Sequence, residues 1–144
     1  MDYLQHDEVH SDEAFGDIEE RCMPKLILPL SPGTNRMWRR SKTGVYPLAE
    51  YVYFKTHTYQ EALISGVCHP LQGPVMVGLT YHPKARKKET DKPLKRMDVD
   101  AHIKPVLDAL IGVAYEDDYQ VTKVWSELGE PIDGGQLVVE WEAA

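Results

Sequence analysis

The segment DVDAHIKPVLDALIGVAYEDDYQ, residues 98–120, constrains the fold more than any other, because it places six carboxylates among the most core-like apolar residues. Carboxylates that lie close together repel one another and raise their own pKa values. A fold tolerates such a group when a divalent cation neutralises it, and Mg²⁺ takes oxygen ligands of this kind. The segment therefore predicts a metal-dependent acidic site beside the core. Its acidic residues are Asp98, Asp100, Asp108, Glu116, Asp117 and Asp118.

An amphipathic helix is predicted inside this segment. Pro105 disfavours helical geometry at Lys104 and lacks an amide hydrogen, so regular helix is expected to begin near His102 or to be kinked. Gly112 is expected to end the helix. The core-facing stripe has the spacing i, i+3, i+4, i+7, i+8 and comprises Ile103, Val106, Leu107, Leu110 and Ile111.

Asp100, Lys104 and Asp108 are predicted to share a stripe beside the apolar one, because positions four apart lie on the same helical face. A lysine near paired carboxylates can add positive charge to the transition state of phosphodiester hydrolysis, with a metal polarising the phosphoryl oxygen. Structural roles stay open for each acid. Asp98 could cap the helix, Asp108 could form an ion pair with Lys104, and residues 116–118 could be a polar turn.

The rest of the chain is predicted to alternate between strands and helices. Residues 31–44 and 83–97 are predicted to be loops, because they are rich in turn-forming and basic residues. A helix is predicted between Pro47 and Gly66, and its buried face is expected to contain Val52, Tyr59, Ala62 and Leu63. Strands are predicted over residues 25–30, 73–82, 121–128 and 135–141. The order β-α-β-α-β-β, with the last two strands as a hairpin, indicates an α+β fold.

A length of 144 residues fits one domain whose core needs no disulfide or metal to fold. Residues 1–24 are highly charged and poor in apolar residues, so we expect a flexible acidic tail outside a domain of residues 25–144. The sequence contains no run of the roughly 18 apolar residues that a membrane helix needs. With only Cys22 and Cys68, which lack metal-site spacing, we expect a reduced cytoplasmic protein without membrane contact.

The charge of the chain is unevenly distributed. Residues 1–20 contribute eight acidic residues and no Lys or Arg to the net charge of −7, which leaves sixteen basic and fifteen acidic residues elsewhere. Basic patches on a near-neutral body are typical of surfaces that bind a polyanion such as DNA, although a solvated loop is the alternative for each. The patches consist of Lys84, Arg86, Lys87, Lys88, Lys92, Lys95 and Arg96 in the second loop, and of Arg36, Arg39, Arg40 and Lys42 in the first.

The spacing of residues in the acidic segment resembles the RusA family of Holliday junction resolvases, which is common in phages and prophages. The pattern begins with Asp98-x-Asp100 and Lys104, continues with LDAL at 107–110, and ends with EDDYQV at 116–121. The opening stretch LILPLSPGTNRMWRR is similar to that family's first strand, turn and basic residues. The resemblance spans residues 25–143 and leaves the acidic tail outside it.

This resemblance implies a homodimeric, Mg²⁺-dependent endonuclease with a mixed sheet and two main helices, in which Mn²⁺ can substitute. Enzymes of this family make paired symmetric nicks across four-way DNA junctions in recombination and repair. Asp98, Asp100 and Asp118 match the family's catalytic, metal-binding carboxylates, and Lys104 matches its important lysine. Asp117 is a weaker candidate for a metal ligand. For Asp108 we favour a structural role.

Three departures from the family pattern bear on this hypothesis. Ala101 stands where the family commonly has Asn, Ser31-Pro32 replaces a Pro-Pro pair, and Pro105 replaces a better helix former. The Ala101 departure bears on substrate choice and rate more than on the class of reaction, because it concerns the support of the metal ligands. Two alternative functions stay open: a nuclease for other branched replication intermediates, and a branched-DNA-binding protein without turnover.

Overall fold

The computed structural model describes residues 24–67 and 69–144. Almost all of the predicted acidic tail, together with Cys22 and Cys68, lies outside these residues. Two helices are present, α1 (Ala49–Ile64) and α2 (Ile103–Ala109). Two single 3₁₀ turns cover Thr34–Arg36 and Asp118–Gln120. The strands are β1 (Lys25–Leu28), β2 (Trp38–Ser41), β3 (Gly44–Pro47), β4 (Val75–His82), β5 (Val121–Leu128) and β6 (Gln136–Ala143).

Four of the strands form one mixed sheet in the order β1-β6-β4-β5. β6 is antiparallel to both of its neighbours, whereas β4 and β5 are parallel and are connected through α2. This arrangement confirms the predicted α+β fold with two helices and a mixed sheet. The predicted hairpin of the last two strands is wrong, since β4 lies between them. β6 carries the buried side chains of Leu137, Val139 and Trp141, and the central position buries these better than the sheet edge would.

Helix α1 packs against the sheet and α2 through a face different from the predicted one. Tyr51, Phe54, Thr58 and Ala62 are buried, at a spacing of i, i+3, i+7 and i+11. Of the predicted face only Ala62 is buried, because Val52, Tyr59 and Leu63 are each about half exposed. Both faces of α1 carry apolar residues, and the face that carries Tyr51 and Phe54 is the one that packs. The exposed residues are left as an apolar strip on the outer surface.

The segment predicted to be a loop at 31–44 instead contains strand β2, which pairs with β3 in a separate two-stranded hairpin. All eight residues of the two strands are exposed. A strand with no buried side chain shows no apolar alternation, so its sequence cannot be told from a loop. Trp38 joins the hairpin to α1, with its ring centroid 5.7 Å from that of Tyr51.

Helix α2 begins at Ile103, which confirms the predicted start near His102 and places Pro105 in the first turn. The helix ends at Ala109, three residues before the predicted stop at Gly112. Ile111 therefore lies beyond the helix and is 43% exposed, so its predicted place in the buried stripe is wrong. In the part of the chain that the structure describes, no helix is long and apolar enough to cross a membrane.

Candidate active site

The segment that carries Asp98 and Asp100 is held by residues from both ends of the chain. The backbone and hydroxyl of Thr34 both donate to the Ala101 carbonyl, at 3.0 and 3.1 Å. From the other side, the Ser126 hydroxyl on β5 donates to the Val99 carbonyl at 2.5 Å. The 3₁₀ turn Thr34–Arg36, called the front turn below, and strand β5 thus fix a segment that has no helix or strand of its own.

Asp98 and Asp100 are both exposed, and they line one surface cleft together with Arg36 and Arg96. The prediction that Asp100 continues the stripe of α2 is wrong, because Asp100 lies in the turn before the helix. Asp98 does not cap α2 either, since the N-cap residue is His102. The two carboxylates are therefore free of helix-capping roles and face a cleft with basic residues at its wall.

Lys104 connects the first turn of α2 to the second acidic cluster, residues 116–118. Its ammonium nitrogen lies 2.9 Å from Asp108 Oδ1 and 3.3 Å from Asp118 Oδ2. The hydrogen bond with Asp108 is the largest influence on the Lys104 pKa and raises it above the usual value for lysine. Lys104 therefore stays protonated at neutral pH. Its ammonium group links helix α2 to Asp118.

Asp108 is anchored from the side of the core by Tyr51 of α1. The Tyr51 hydroxyl donates to Asp108 Oδ2 at 2.6 Å, and the Asp108 side chain is only 14% exposed. Burial raises the Tyr51 pKa, and the hydrogen bond to the Asp108 carboxylate raises it further. The i, i+4 pair with Lys104, left open on sequence grounds, is present. Asp108 thus positions Lys104 from a nearly buried site.

The second acidic cluster is a rigid turn. Gln120 accepts from the backbone amides of Glu116 and Asp117 at 3.0 and 3.2 Å and donates to the carbonyls of Leu71 and Gly73. Asp117 accepts from the Tyr119 amide and caps the 3₁₀ turn. The Asp117 carboxylate thus accepts a hydrogen bond from the backbone of its own turn. The Asp118 carboxylate instead accepts a hydrogen bond from Lys104.

The predicted metal ligands are not gathered into one group of three. Among residues 24–67 and 69–144, no cluster of three or more His, Cys, Asp or Glu side chains could hold a metal ion. Asp98 and Asp100 share one cleft, while Asp118 is paired with Lys104. A pair of carboxylates nevertheless suits Mg²⁺, which usually takes one or two carboxylates and completes its shell with waters and phosphate oxygens.

His102, which sequence reasoning treated only as a helix boundary, is fully buried beside the acidic segment. Its Nδ1 lies 2.6 Å from the Ser31 hydroxyl, and its ring packs edge-on against Tyr81 with centroids 4.5 Å apart. Burial lowers the His102 pKa to about 4. Nε2 has no hydrogen-bond partner within the described ranges. No sequence signal marked Ser31 or Tyr81 as neighbours of this histidine.

The predicted DNA-binding residues lie on three exposed parts of the surface. Arg39 and Arg40 are on the β2–β3 hairpin. Arg86 is engaged in folding the 84–96 loop, because its guanidinium donates to the carbonyls of Thr90 and Lys92. Several lysines of that loop form no ion pair with any described residue and are available to phosphates; they are Lys84, Lys87, Lys88, Lys92 and Lys95. Arg36, in the front turn, pairs with Glu50, and Arg96 donates to the Met97 carbonyl.

Residues 29–138 match the protein family described as Endodeoxyribonuclease RusA. The chain belongs to the RusA endodeoxyribonuclease family. The match covers most of the 144 residues and includes both acidic elements and Lys104. It confirms the predicted family and the predicted class of enzyme. No curated protein matches the chain.

Within a RusA endodeoxyribonuclease domain, the family pattern identifies the charged residues but not the residues that hold them. Thr34 and Ser126 support the Asp98–Asp100 segment, and Tyr51 supports Asp108. The sequence Ser-Pro-Gly at residues 31–33, just before Thr34, is a common turn signal, but it does not reveal a partner far along the chain. Those supports became visible only from the three-dimensional arrangement.

Proposed function

We propose that this protein is a Mg²⁺-dependent endonuclease that resolves four-way DNA junctions by paired symmetric nicks in recombination and repair. The observation that carries the proposal is the position of Lys104. This cation joins two acidic elements of the family motif, Asp108 and Asp118, at 2.9 and 3.3 Å, and it follows the exposed pair Asp98 and Asp100 closely in sequence. Membership of the RusA endodeoxyribonuclease family supports a branched DNA substrate.

We place Mg²⁺, or Mn²⁺ in its stead, at Asp98 and Asp100, with Asp118 as the third carboxylate of the working site. When bound, such an ion supplies polarisation of the scissile phosphoryl group and a more acidic water. Asp118 becomes available when Lys104, still paired with Asp108, exchanges its bond with Asp118 for one to a DNA phosphate. Asp117 remains a cap, since its carboxylate is held by the turn.

Lys104 has a separate role in the proposed reaction. Its raised pKa keeps the ammonium charged at neutral pH, and the side chain is half exposed, so it can reach a phosphate oxygen. There it stabilises the negative charge that develops in the transition state. Asp108 keeps the ammonium at this place through a bond that is itself braced by Tyr51.

The lysines of the 84–96 loop and the arginines of the β2–β3 hairpin are proposed to bind the phosphates of the junction arms. Both sets are exposed, and Lys87, Lys88, Arg39 and Arg40 have no carboxylate partner in the described part of the chain. Such contacts hold the DNA in position without reading its sequence.

We also propose that the active protein is a homodimer. A four-way junction has strands related by two-fold symmetry, and paired nicks need two catalytic sites with the same relation. The exposed apolar strip of α1, which includes Val52 and Leu63, offers a surface for a second copy. Leu63→Glu should give a monomer in sedimentation that binds junctions but makes single, unpaired nicks. A wild-type protein that is monomeric at micromolar concentration and still makes paired nicks would contradict the dimer.

The test of the catalytic site is Asp100→Asn, compared with wild type on junction, flap and duplex DNA in Mg²⁺. Loss of one charged metal ligand is expected to reduce nicking by roughly a thousandfold, which corresponds to about 4 kcal/mol of transition-state stabilisation. Junction binding measured in Ca²⁺ should survive, because it depends mainly on the basic residues. Asp133→Asn, an exposed acid in the turn before β6, is the matched control and should cut normally.

Three outcomes would count against this proposal. Near wild-type nicking by Asp100→Asn would remove Asp100 from the catalytic site. Junction binding without scission by wild type in either Mg²⁺ or Mn²⁺ would favour the non-catalytic branched-DNA-binding protein. A preference for flap DNA over four-way junctions would favour the nuclease of other replication intermediates.

A further inference from the structure

A second cavity, of about 830 Å³, opens beside the cleft of Asp98 and Asp100. Its apolar wall is formed by aromatic and aliphatic side chains, among them Tyr53 and Phe54 of α1, Tyr81 of β4, and Met97. This volume is within the range of small-molecule pockets in proteins. The proposed hydrolysis of a phosphodiester does not require such a cavity.

His102 lines this cavity and is its most unusual polar group. The residue is fully buried, and its Nδ1 is satisfied by Ser31 at 2.6 Å. Its Nε2 has no hydrogen-bond partner among the described residues. Buried polar groups in folded proteins are nearly always paired, so an unpaired one calls for a partner that the chain does not itself provide.

The rim of the cavity is basic. Arg36, Lys84, Lys95 and Arg96 all line it, while Glu50 is the one acidic residue among the lining residues and is paired with Arg36 at 2.6 Å. An apolar wall, a buried hydrogen-bonding nitrogen and a basic rim together match the face of a base, its polar edge and the phosphates beside it. Aromatic side chains stack on bases, and basic side chains bind the phosphates on either side.

The cavity and the acidic cleft are continuous. Pro32, Arg36, Arg96 and Met97 line both of them. A DNA strand whose phosphate lies at Asp98 and Asp100 would therefore place a neighbouring base at the mouth of the cavity. Bases at the branch point of a junction are the easiest to unstack, because unpairing costs least where the duplex is already interrupted.

We propose that this cavity accommodates an unpaired base of the DNA strand being cut, stacked against Tyr53, and that entry of the base uncovers the buried Nε2 of His102 for a hydrogen bond. The proposal rests on the proposed function, since it assigns the cavity to a base next to the scissile phosphate. His102 then selects among bases by what their edges offer to its nitrogen. The cavity would thereby make nicking depend on the base at the branch point.

The test follows a single 2-aminopurine, a fluorescent base, placed at successive positions around the branch point of a four-way junction and, separately, in a short single strand. Ca²⁺ replaces Mg²⁺ so that the DNA is not cut. Protection of the base from acrylamide quenching reports entry into the cavity, while a label on a distant arm reports binding. Wild type is expected to protect the base at one junction position and in the single strand.

The variants are chosen to keep the fold. Tyr53 is 67% exposed, so Tyr53→Ala should fold normally, and it should bind the single strand about tenfold more weakly because one stacking contact is lost. Gln60→Ala, exposed on the same helix but outside both the apolar strip and the cavity lining, is the control and should leave protection unchanged. His102→Leu should abolish preference among the four bases in nicking rates, whereas His102→Asn should keep a preference for one base, because its amide still forms hydrogen bonds.

The outcomes separate the cavity from the proposed function. If wild type nicks junctions but leaves every 2-aminopurine open to acrylamide, the cavity does not bind a base and the proposal fails. Protection that is equal in wild type and Tyr53→Ala would overturn it as well. Protection in the single strand by a protein that nicks no junction would support the cavity and refute the proposed function. Because the fluorescence test uses only wild type, Tyr53→Ala and its control, misfolding of His102→Leu would not prevent a decision.

Discussion

The hydrogen bond from Tyr51 to Asp108 offers the sharpest test of how this site is held. Tyr51 is 1% exposed, and its hydroxyl donates at 2.6 Å to a carboxylate that also binds Lys104. Tyr51→Phe removes only the hydroxyl and keeps the ring that packs near Trp38. The substitution therefore isolates the contribution of one charge-assisted hydrogen bond.

The expected loss follows from the chemistry of that bond. Hydrogen bonds to charged groups contribute roughly 1.5–3 kcal/mol, so Tyr51→Phe should reduce the free energy of unfolding by about 2 kcal/mol. In a domain of this length, that loss should lower Tm by roughly 6 °C. Asp108→Ala should be worse, at about 3 kcal/mol, because it also leaves the buried Tyr51 hydroxyl without an acceptor.

The assay is urea unfolding of the two single variants and the double variant, in EDTA so that no metal contributes. The double variant should lose less than the sum of the two single losses, by about 1.5 kcal/mol, because both changes remove the same bond. Tyr59→Phe is the control, since this tyrosine is 51% exposed on the same helix. Its unfolding free energy should not change measurably.

Two results would refute this reasoning. If Tyr51→Phe is as stable as Tyr59→Phe, the bond contributes nothing to the fold. If the two single losses simply add, Tyr51 and Asp108 act independently. Either result would also remove the argument that Asp108 positions Lys104 from a braced site.

Three further predictions concern other parts of the molecule. Replacing Lys87 and Lys88 by Ala should weaken binding to all DNA shapes alike and reduce the slope of log affinity against log salt by about 1 per lost phosphate contact; an unchanged slope would leave them as a solvated surface. The folded state holds the Tyr51 pKa above its ordinary value of 10.0. Above pH 10 the Tyr51 hydroxyl therefore keeps its proton in the folded protein but loses it in the unfolded chain, so the free energy of unfolding should fall as pH rises above 10. Tyr51→Phe should show a smaller fall in an unfolding series from neutral to alkaline pH. Gly78→Ala should destabilise the sheet by about 3 kcal/mol, because its Cβ would lie 2.0 Å from the Trp125 ring, and Trp125→Leu in the same chain should recover part of that loss.

Much of the secondary structure could be predicted because the core elements carry strong local patterns. The bounds of β5 agree with the prediction, and those of α1 and β4 agree within two residues. The β2–β3 hairpin could not be predicted, because strands without a buried side chain lack the alternation that marks a strand. The buried face of α1 was also wrong, since local spacing cannot decide between two apolar faces.

The candidate site shows the same division. The pair of Lys104 and Asp108 followed from their spacing of four residues. The bond from Lys104 to Asp118 depends on how the chain returns after α2, and the brace from Tyr51 joins residues 57 apart in sequence. The expected grouping of Asp98, Asp100 and Asp118 was not found, because it depends on the relative placement of separate loops.

By itself the sequence determined which residues are charged, where most of the core elements lie, and which family motif the acids form, because each of these is encoded within a few turns of the chain. Tertiary structure decided the strand order, the buried face of α1 and the surroundings of His102. The hydrogen bond between His102 and Ser31 joins residues 71 apart, and the hydrogen bond from Ser126 to Val99 joins residues 27 apart. Such contacts follow from the packing of whole elements against one another, and no local pattern of side chains specifies them.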